Sequence, residues 1–366
     1  MTNKLIFVCG NLYPFNLGGA EVFNYYLMQS MAKQAEVLCI NPHSGKLTDS
    51  VRRLRIRTPF LPVLWFPFFT ALKLLFQSNK KNMHVVLTFS RSKWFYWIYY
   101  PILKKLFGIR YTIIIHGGGL TEWSFEMPFK WFFRNADHVI GISDRIRDEY
   151  QKRTGVEVKL MPPLIPFHIS DLTKQAARER LNIRENTKVI LQVGSLKKIK
   201  HPETALEALN NLGKQFIESN NLLMVYAGDG PDKPVLEKQT EELGLQNHVK
   251  FLGNVPRDEV KHVYRSADLY LIASDFEGTP LSMLEAMANG IPVMASNALG
   301  INAVIEHLRH GLLFTIGDGK ELADHIKTLI SNSDLAHSLV SKATQTLNER
   351  YDHNTMLEQY KSMWNL

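Results

Sequence analysis

The chain has 366 residues, 45% of them hydrophobic and 21% charged, and carries a net charge of +8 with only 2 cysteines. This is the composition of an ordinary globular protein with room for two domains, and it offers no disulfide or cysteine-metal framework. The charge is uneven: residues 1–165 hold 22 Lys and Arg against 10 Asp and Glu, the remainder holds 21 against 25, and 28 of the 39 aromatic residues lie in the first part.

A basic, aromatic-rich half beside an acidic one points to an anionic partner. A membrane surface or a lipid phosphate fits better than nucleic acid, for which no motif occurs; a solvated basic surface without a partner is the alternative. Cys9 and Cys39 both fall in apolar, strand-like runs and read as buried free thiols in a reducing compartment.

Residues 4–9 predict a first strand, and their apolar run is too short for a signal-peptide core. A loop rich in Asn, Pro and Gly (11–19) leads into a helix over 20–32. Gly18 and Gly19 sit where loop meets helix, as bare backbone that an anion can approach or as a tight turn. Further strands are predicted over 36–40, 84–89, 111–116 and 136–143. Residues 58–72 are uncharged over 15 positions, short of a membrane span, and contain Pro59, Pro62 and Pro67. Flanked by Arg52, Arg53, Arg55, Arg57, Lys80 and Lys81, this segment reads as a loop and helix that lies on a bilayer or packs in the first core; residues 91–107 share its character. His116 ends its strand just before three glycines, where open α/β sheets bind ligands.

A charged segment over 161–187 reads as an interdomain linker. The alternation then restarts, with strands over 189–194, 222–227, 249–252, 269–274 and 292–296 and helices over 202–216 and from Pro234. Strands alternating with helices predict α/β architecture, with two doubly wound parallel sheets and ligand sites at the carboxyl ends of the strands. Gly228-Asp229-Gly230-Pro231 has Lys233 where a dinucleotide fingerprint needs its third glycine, so it reads as a turn.

The most informative stretch is 268–296. Thr279 suits an N-cap and Pro280 the first helical position, with the helix running to Asn289 and Gly290 just past its end. The amides of Leu281, Ser282 and Met283 would then point out of the helix start and favour an anion. Glu277 and Glu285 bracket that start and would be free to accept from hydroxyls. A sugar nucleotide, a diphosphate between polyols, has the matching chemistry.

Glu277-x7-Glu285 with G-T-P-L between, followed by E-A-M-A-N-G-I-P-V, resembles the signature of retaining glycosyltransferases of family four. The resemblance implies the GT-B fold: two Rossmann-like doubly wound domains facing a central cleft. Residues 1–165 would bind the acceptor and 166–350 the nucleotide sugar, while 351–366 would form a helix crossing back to the first domain. It further implies that Gly18 and Gly19 contact the donor diphosphate and that His116 lies near the reactive sugar carbon. Lys200 matches a lysine that holds the diphosphate. Ser195 stands where the family has an arginine, so a neutral donor replaces a cation there. Gly278, Thr279, Pro280, Leu281 and Ser282 would cradle the phosphates, Glu277 the sugar hydroxyls and Glu285 the ribose. Residues 249–258 resemble the segment whose backbone meets the base. Leu299 and Ala303 replace a usual glycine and glutamate.

The expectation is a retaining glycosyltransferase with no cofactor and no metal, in which His116, Glu277 and Lys200 are the catalytic groups. It would move a sugar from a nucleoside diphosphate sugar to a saccharide or lipid-linked acceptor. Its place would be the cytoplasm or the inner membrane face, in cell-surface polysaccharide or glycolipid synthesis. A sugar-nucleotide epimerase on the same fold is one alternative. Ser195 and Ala303 motivate another, a non-catalytic sugar-nucleotide-binding scaffold.

Overall fold

The computed structural model describes residues 4–9, 19–41, 50–55, 62–76, 83–89, 96–116, 126–164 and 166–366. The chain forms two compact units, Met1–Pro166 with Tyr351–Leu366, and Phe167–Arg350.

In the first unit the elements are β1 (Lys4–Val8), α1 (Gly19–Met31), β2 (Glu36–Asn41), β3 (Val51–Arg55), α2 (Pro62–Leu75), β4 (Met83–Phe89), α3 (Tyr96–Phe107), β5 (Arg110–Ile115), α4 (Glu126–Asn135), β6 (His138–Gly141), α5 (Asp144–Thr154) and β7 (Lys159–Leu160). The strands form one parallel sheet in the order β3-β2-β1-β4-β5-β6-β7. Helices cover both faces of such a sheet, so its strands are apolar nearly throughout: Leu5, Ile6 and Phe7 of β1 and Ile113, Ile114 and Ile115 of β5 are all buried. The strand order reverses between β1 and β4, which makes the carboxyl ends there a switch point. β3 was not anticipated, because three of its five residues are arginine and hide the apolar pattern.

The two apolar segments are helices with a core face each. Thr70, Ala71 and Leu74 of α2 and Tyr100 and Leu103 of α3 are buried. Leu72, Ile102, Leu106 and Phe107 nevertheless point outwards, with Phe76 just beyond α2 exposed as well. Among the described residues no helix is long and apolar enough to cross a membrane.

The second unit contains α6 (Lys174–Arg180), β8 (Lys188–Val193), a single 3-10 turn (Lys198–Lys200), α7 (Glu203–Leu212), α8 (Lys214–Ser219), β9 (Leu222–Ala227), α9 (Lys233–Glu242), β10 (Val249–Gly253), α10 (Val260–Ser266), β11 (Leu269–Ile272), α11 (Leu281–Ala288), β12 (Val293–Ser296), β13 (Leu312–Phe314), α12 (Gly319–Ser331) and α13 (Ser333–Arg350). Its parallel sheet runs β10-β9-β8-β11-β12-β13, with the switch point between β8 and β11. The helix expected over 202–216 is in fact two, meeting at Gly213.

The final helix, α14 (His353–Met363), belongs to the first unit. Just past it, Trp364 is 1% exposed, and its indole Nε1 donates to Thr112 Oγ1 at 3.1 Å. Thr112 Oγ1 lies 2.7 Å from His84 Nε2, and the indole packs edge-on to Phe7. An indole only donates, so the threonine hydroxyl is free to give its own proton to His84. Burial lowers the His84 pKa from 6.5 to about 3, which keeps the ring neutral and able to accept.

The unfolded chain takes up this proton from pH 6.5 downwards, and the folded chain only near pH 3. Stability is therefore full above the upper value and falls as the pH is lowered through the window. Urea unfolding between these limits should lose on the order of 1 kcal/mol per pH unit from this group, a slope that His84→Gln should reduce.

Candidate active site

The loop following β8 owes its path to close backbone approaches. Leu196, 1% exposed, donates its amide to Asp229 O at 3.0 Å. A Cβ on Gly228 would stand 1.9 Å from Gly194 O, so only glycine fits there. The Gly228–Pro231 turn therefore serves to seat residues 194–196, a structural role. Ser195 is half-buried in this seat, Lys197 and Lys198 are exposed, and the turn brings Lys200 back towards the sheet.

The loop following the neighbouring strand β11 meets it. Lys200 Nζ lies 2.5 Å from Glu277 Oε1, and Ser274 Oγ donates to the same oxygen at 2.7 Å. Ser274 O in turn accepts from Ser296 Oγ at 2.6 Å. Glu277 is also fixed through its backbone: its amide donates to Leu299 O at 3.0 Å, and a Cβ on Gly300 would be 1.8 Å from Glu277 O. Leu299 carries a side chain where Gly300, beside it, has no room for one. Among the described residues nothing bonds Glu277 Oε2, so half of this carboxylate is available.

The helix start differs from the expected one. Pro280, not Thr279, is the N-cap, and α11 spans Leu281–Ala288 with Asn289 as its C-cap. Pro280 has no N–H, the Leu281 amide donates to Thr279 O at 2.9 Å, and the Met283 amide donates to Pro280 O at 3.0 Å. The tight turn uses up two of the three expected amides. Among the described residues the amides of Gly278 and Ser282 have no backbone acceptor, and these are the donors left for an anion.

Glu285 is not a free carboxylate either. It is 6% exposed, pairs through Oε1 with Arg257, and has the Tyr264 hydroxyl 3.0 Å from Oε2. The same hydroxyl lies 2.9 Å from Ser282 O, so its one proton is shared between two acceptors. Burial, and then the Glu285 charge, raises the Tyr264 pKa well above 10, which holds it as a donor. Neither Arg257 nor Tyr264 was singled out from the sequence. Arg257 lies in the segment whose backbone was matched to the nucleotide base, and nothing in its spacing marks its side chain.

In the first unit, His116 follows β5. Its Nε2 lies 3.1 Å from Asn24 Oδ1 of α1, and its ring packs edge-on to Phe23 at 4.9 Å. An amide oxygen opposite Nε2 puts the proton on that nitrogen and leaves Nδ1 as an acceptor, with no partner among the described residues. Burial lowers its pKa to about 3, so the ring is neutral at physiological pH. Gly19 is the first residue of α1, while Gly18 lies outside the described residues. Among the described residues no three His, Cys, Asp or Glu side chains gather as a metal site.

Two family models cover most of the chain: Glycosyltransferase Family 4 over residues 17–166 and glycosyl transferases group 1 over residues 173–346. The chain belongs to the group 1 glycosyltransferases. This glycosyltransferase is 23% identical over 274 residues to the N-acetyl-alpha-D-glucosaminyl L-malate synthase of Bacillus anthracis, covering 72% of this chain and 70% of that protein. It is 30% identical over 183 residues to the alpha-monoglucosyldiacylglycerol synthase of Acholeplasma laidlawii, covering 49% of this chain and 45% of that protein, so it spans about half the length of this second relative. Its structure matches that of Anabaena HepE in complex with UDP at a TM-score of 0.79 and 20% identity, with 99% of both chains covered. The fold is GT-B.

Removing one partner of a buried ion pair strands the other charge. Arg257→Leu should therefore lower unfolding stability by about 3 kcal/mol, and adding Glu285→Gln should recover part of the loss. Urea melts of the three proteins read this directly.

Proposed function

We propose that this glycosyltransferase is a retaining enzyme that needs no metal and moves a sugar from a nucleoside diphosphate sugar to a saccharide or lipid-linked acceptor. The observation that carries the reading is the Lys200–Glu277 pair beside the start of α11, with Glu285 held one turn further on. Departure of the diphosphate builds negative charge. The Lys200 ammonium and the amides of Gly278 and Ser282 are donors already in place to receive it. Glu277 Oε2 would accept from a sugar hydroxyl and steady positive character at the anomeric carbon. Glu285 would accept from the ribose: a carboxylate has about four lone-pair sites, and two partners leave capacity for hydroxyls. His116, neutral, would accept a hydrogen bond from a substrate hydroxyl and is unsuited to donate a second proton. Among the described residues no side chain stands out as a nucleophile, and front-side attack by the acceptor is the course that the resemblance to retaining family-four enzymes implies.

The relatives support these donor and acceptor classes. HepE is described with UDP, and the Acholeplasma relative is a glycolipid synthase. A lipid-linked acceptor at the cytoplasmic membrane face would suit the exposed Ile102, Leu106 and Phe107 of α3, with exposed Lys105 among them.

Thermal unfolding against UDP, GDP, ADP, CDP and TDP and their sugar conjugates tests the donor site. A ligand at 100 times its dissociation constant should add roughly 2.7 kcal/mol to wild type, with a smaller gain in Lys200→Ala. No shift in either protein at millimolar ligand would favour a non-catalytic scaffold, and product formed without any acceptor would favour an epimerase. Co-sedimentation with anionic phospholipid vesicles tests the membrane face. Binding should weaken as salt is raised and be lost in Leu106→Glu.

A further inference from the structure

The turn that carries Lys200 is fastened to the loop that carries Glu277 by a residue that no motif singles out. His201 follows Lys200 directly and has a φ of 41°, in the left-handed region that side chains enter at a cost. Its ring lies between two carboxylates: Nε2 is 2.6 Å from Asp275 Oδ1, and Nδ1 is 2.9 Å from Glu203 Oε1. With a carboxylate on each nitrogen, both bonds are complete only when both nitrogens donate.

The three segments joined this way are the ones that matter to the site. Asp275 stands two residues before Glu277, and its amide donates to Ile199 O at 3.0 Å, immediately before Lys200. Glu203 opens α7. Glu207, one turn further along that helix, adds negative charge near the ring. A strained backbone held in place by charge-assisted bonds next to a candidate site residue persists only because its surroundings over-determine it.

Resting on the reading that Lys200 grips the donor diphosphate, we infer that His201 is a positioning residue for Lys200. By tying the Lys200 turn to Asp275 and Glu203, it fixes the backbone from which the ammonium projects. A lysine on a free loop would lose backbone freedom when it closes on a diphosphate; here that freedom is already lost before the donor arrives. The same tie holds the Glu277 loop in register with the turn, so the cation and the carboxylate are presented together.

The test is calorimetric titration with whichever nucleoside diphosphate of UDP, GDP, ADP, CDP and TDP stabilises wild type most. The proteins are wild type, His201→Asn, Asp275→Asn, Lys200→Ala and the Lys200→Ala/His201→Asn double variant. Asparagine tolerates the left-handed backbone, so His201→Asn removes the two bonds without adding strain. Affinity should fall about three- to tenfold in His201→Asn and in Asp275→Asn. In the Lys200→Ala background, His201→Asn should cause no further loss, because it acts only through Lys200. An equal loss in both backgrounds, or none in either, overturns the inference while leaving the donor site standing. If Lys200→Ala itself binds as well as wild type, or no diphosphate binds at all, the donor-site reading fails and His201 has nothing to position.

Discussion

Lys200 and Glu277 stand 2.5 Å apart although 77 positions separate them in the chain, and the layout of the second unit follows from bringing them together. The sheet does this by topology. β8 lies at the centre, the chain builds outwards through β9 and β10, and it then returns to lay β11 against the other side of β8. Both loops emerge from the carboxyl edge at the switch point, where no strand connection covers them. The pair is partly shielded from water, with side-chain exposures of 28% and 13%, so its attraction is screened less than that of a surface pair. Glycines where no Cβ fits, at 228 and 300, set the two backbones at the heights this contact requires.

Glu285 shows the opposite balance. Its carboxylate has given up most of its water, and Arg257 and Tyr264 replace the lost hydration. Such a buried pair is weak evidence of net stabilisation, since apolar residues of the same volume often do as well. What the arrangement does supply is a fixed acceptor. With Oε1 and Oε2 each held, the remaining lone pairs keep one direction and need no rotamer search when a hydroxyl approaches.

The first unit is assembled around a different contact. Trp364, in the last residues of the chain, reaches Thr112 in the middle of β5 and through it His84 on β4. Burying an imidazole is tolerable only in its neutral form, and the threonine hydroxyl gives that form a partner. The outward apolar residues of α2 and α3 coexist with well-packed inner faces, so these helices are both core and surface. A hydropathy pattern that is apolar all round has two sources here, and the periodicity could not separate them.

The sequence by itself determined the α/β class, nearly all the strands of both sheets, and the loop–helix unit holding Glu277 and Glu285. It could do so because parallel strands buried on two faces are written as apolar runs, and helix starts and stops are written in local chemistry. It also marked His116 by its place at a strand end, while Lys200 was marked by the family pattern it matches. It missed β3, whose arginines mask its pairing, and β13, only three residues long; and it read both glutamates as free acceptors, whereas Glu277 shares one oxygen and Glu285 has both held. Only the tertiary structure decided that Glu277 is shared with Lys200 and Ser274, that Glu285 is gripped by Arg257 and Tyr264, and that Pro280 caps the helix. The physical reason is common to all three. A carboxylate's partners are set by which strands become neighbours in the sheet and by how tightly a turn closes, and neither quantity has a spacing that can be read along the chain.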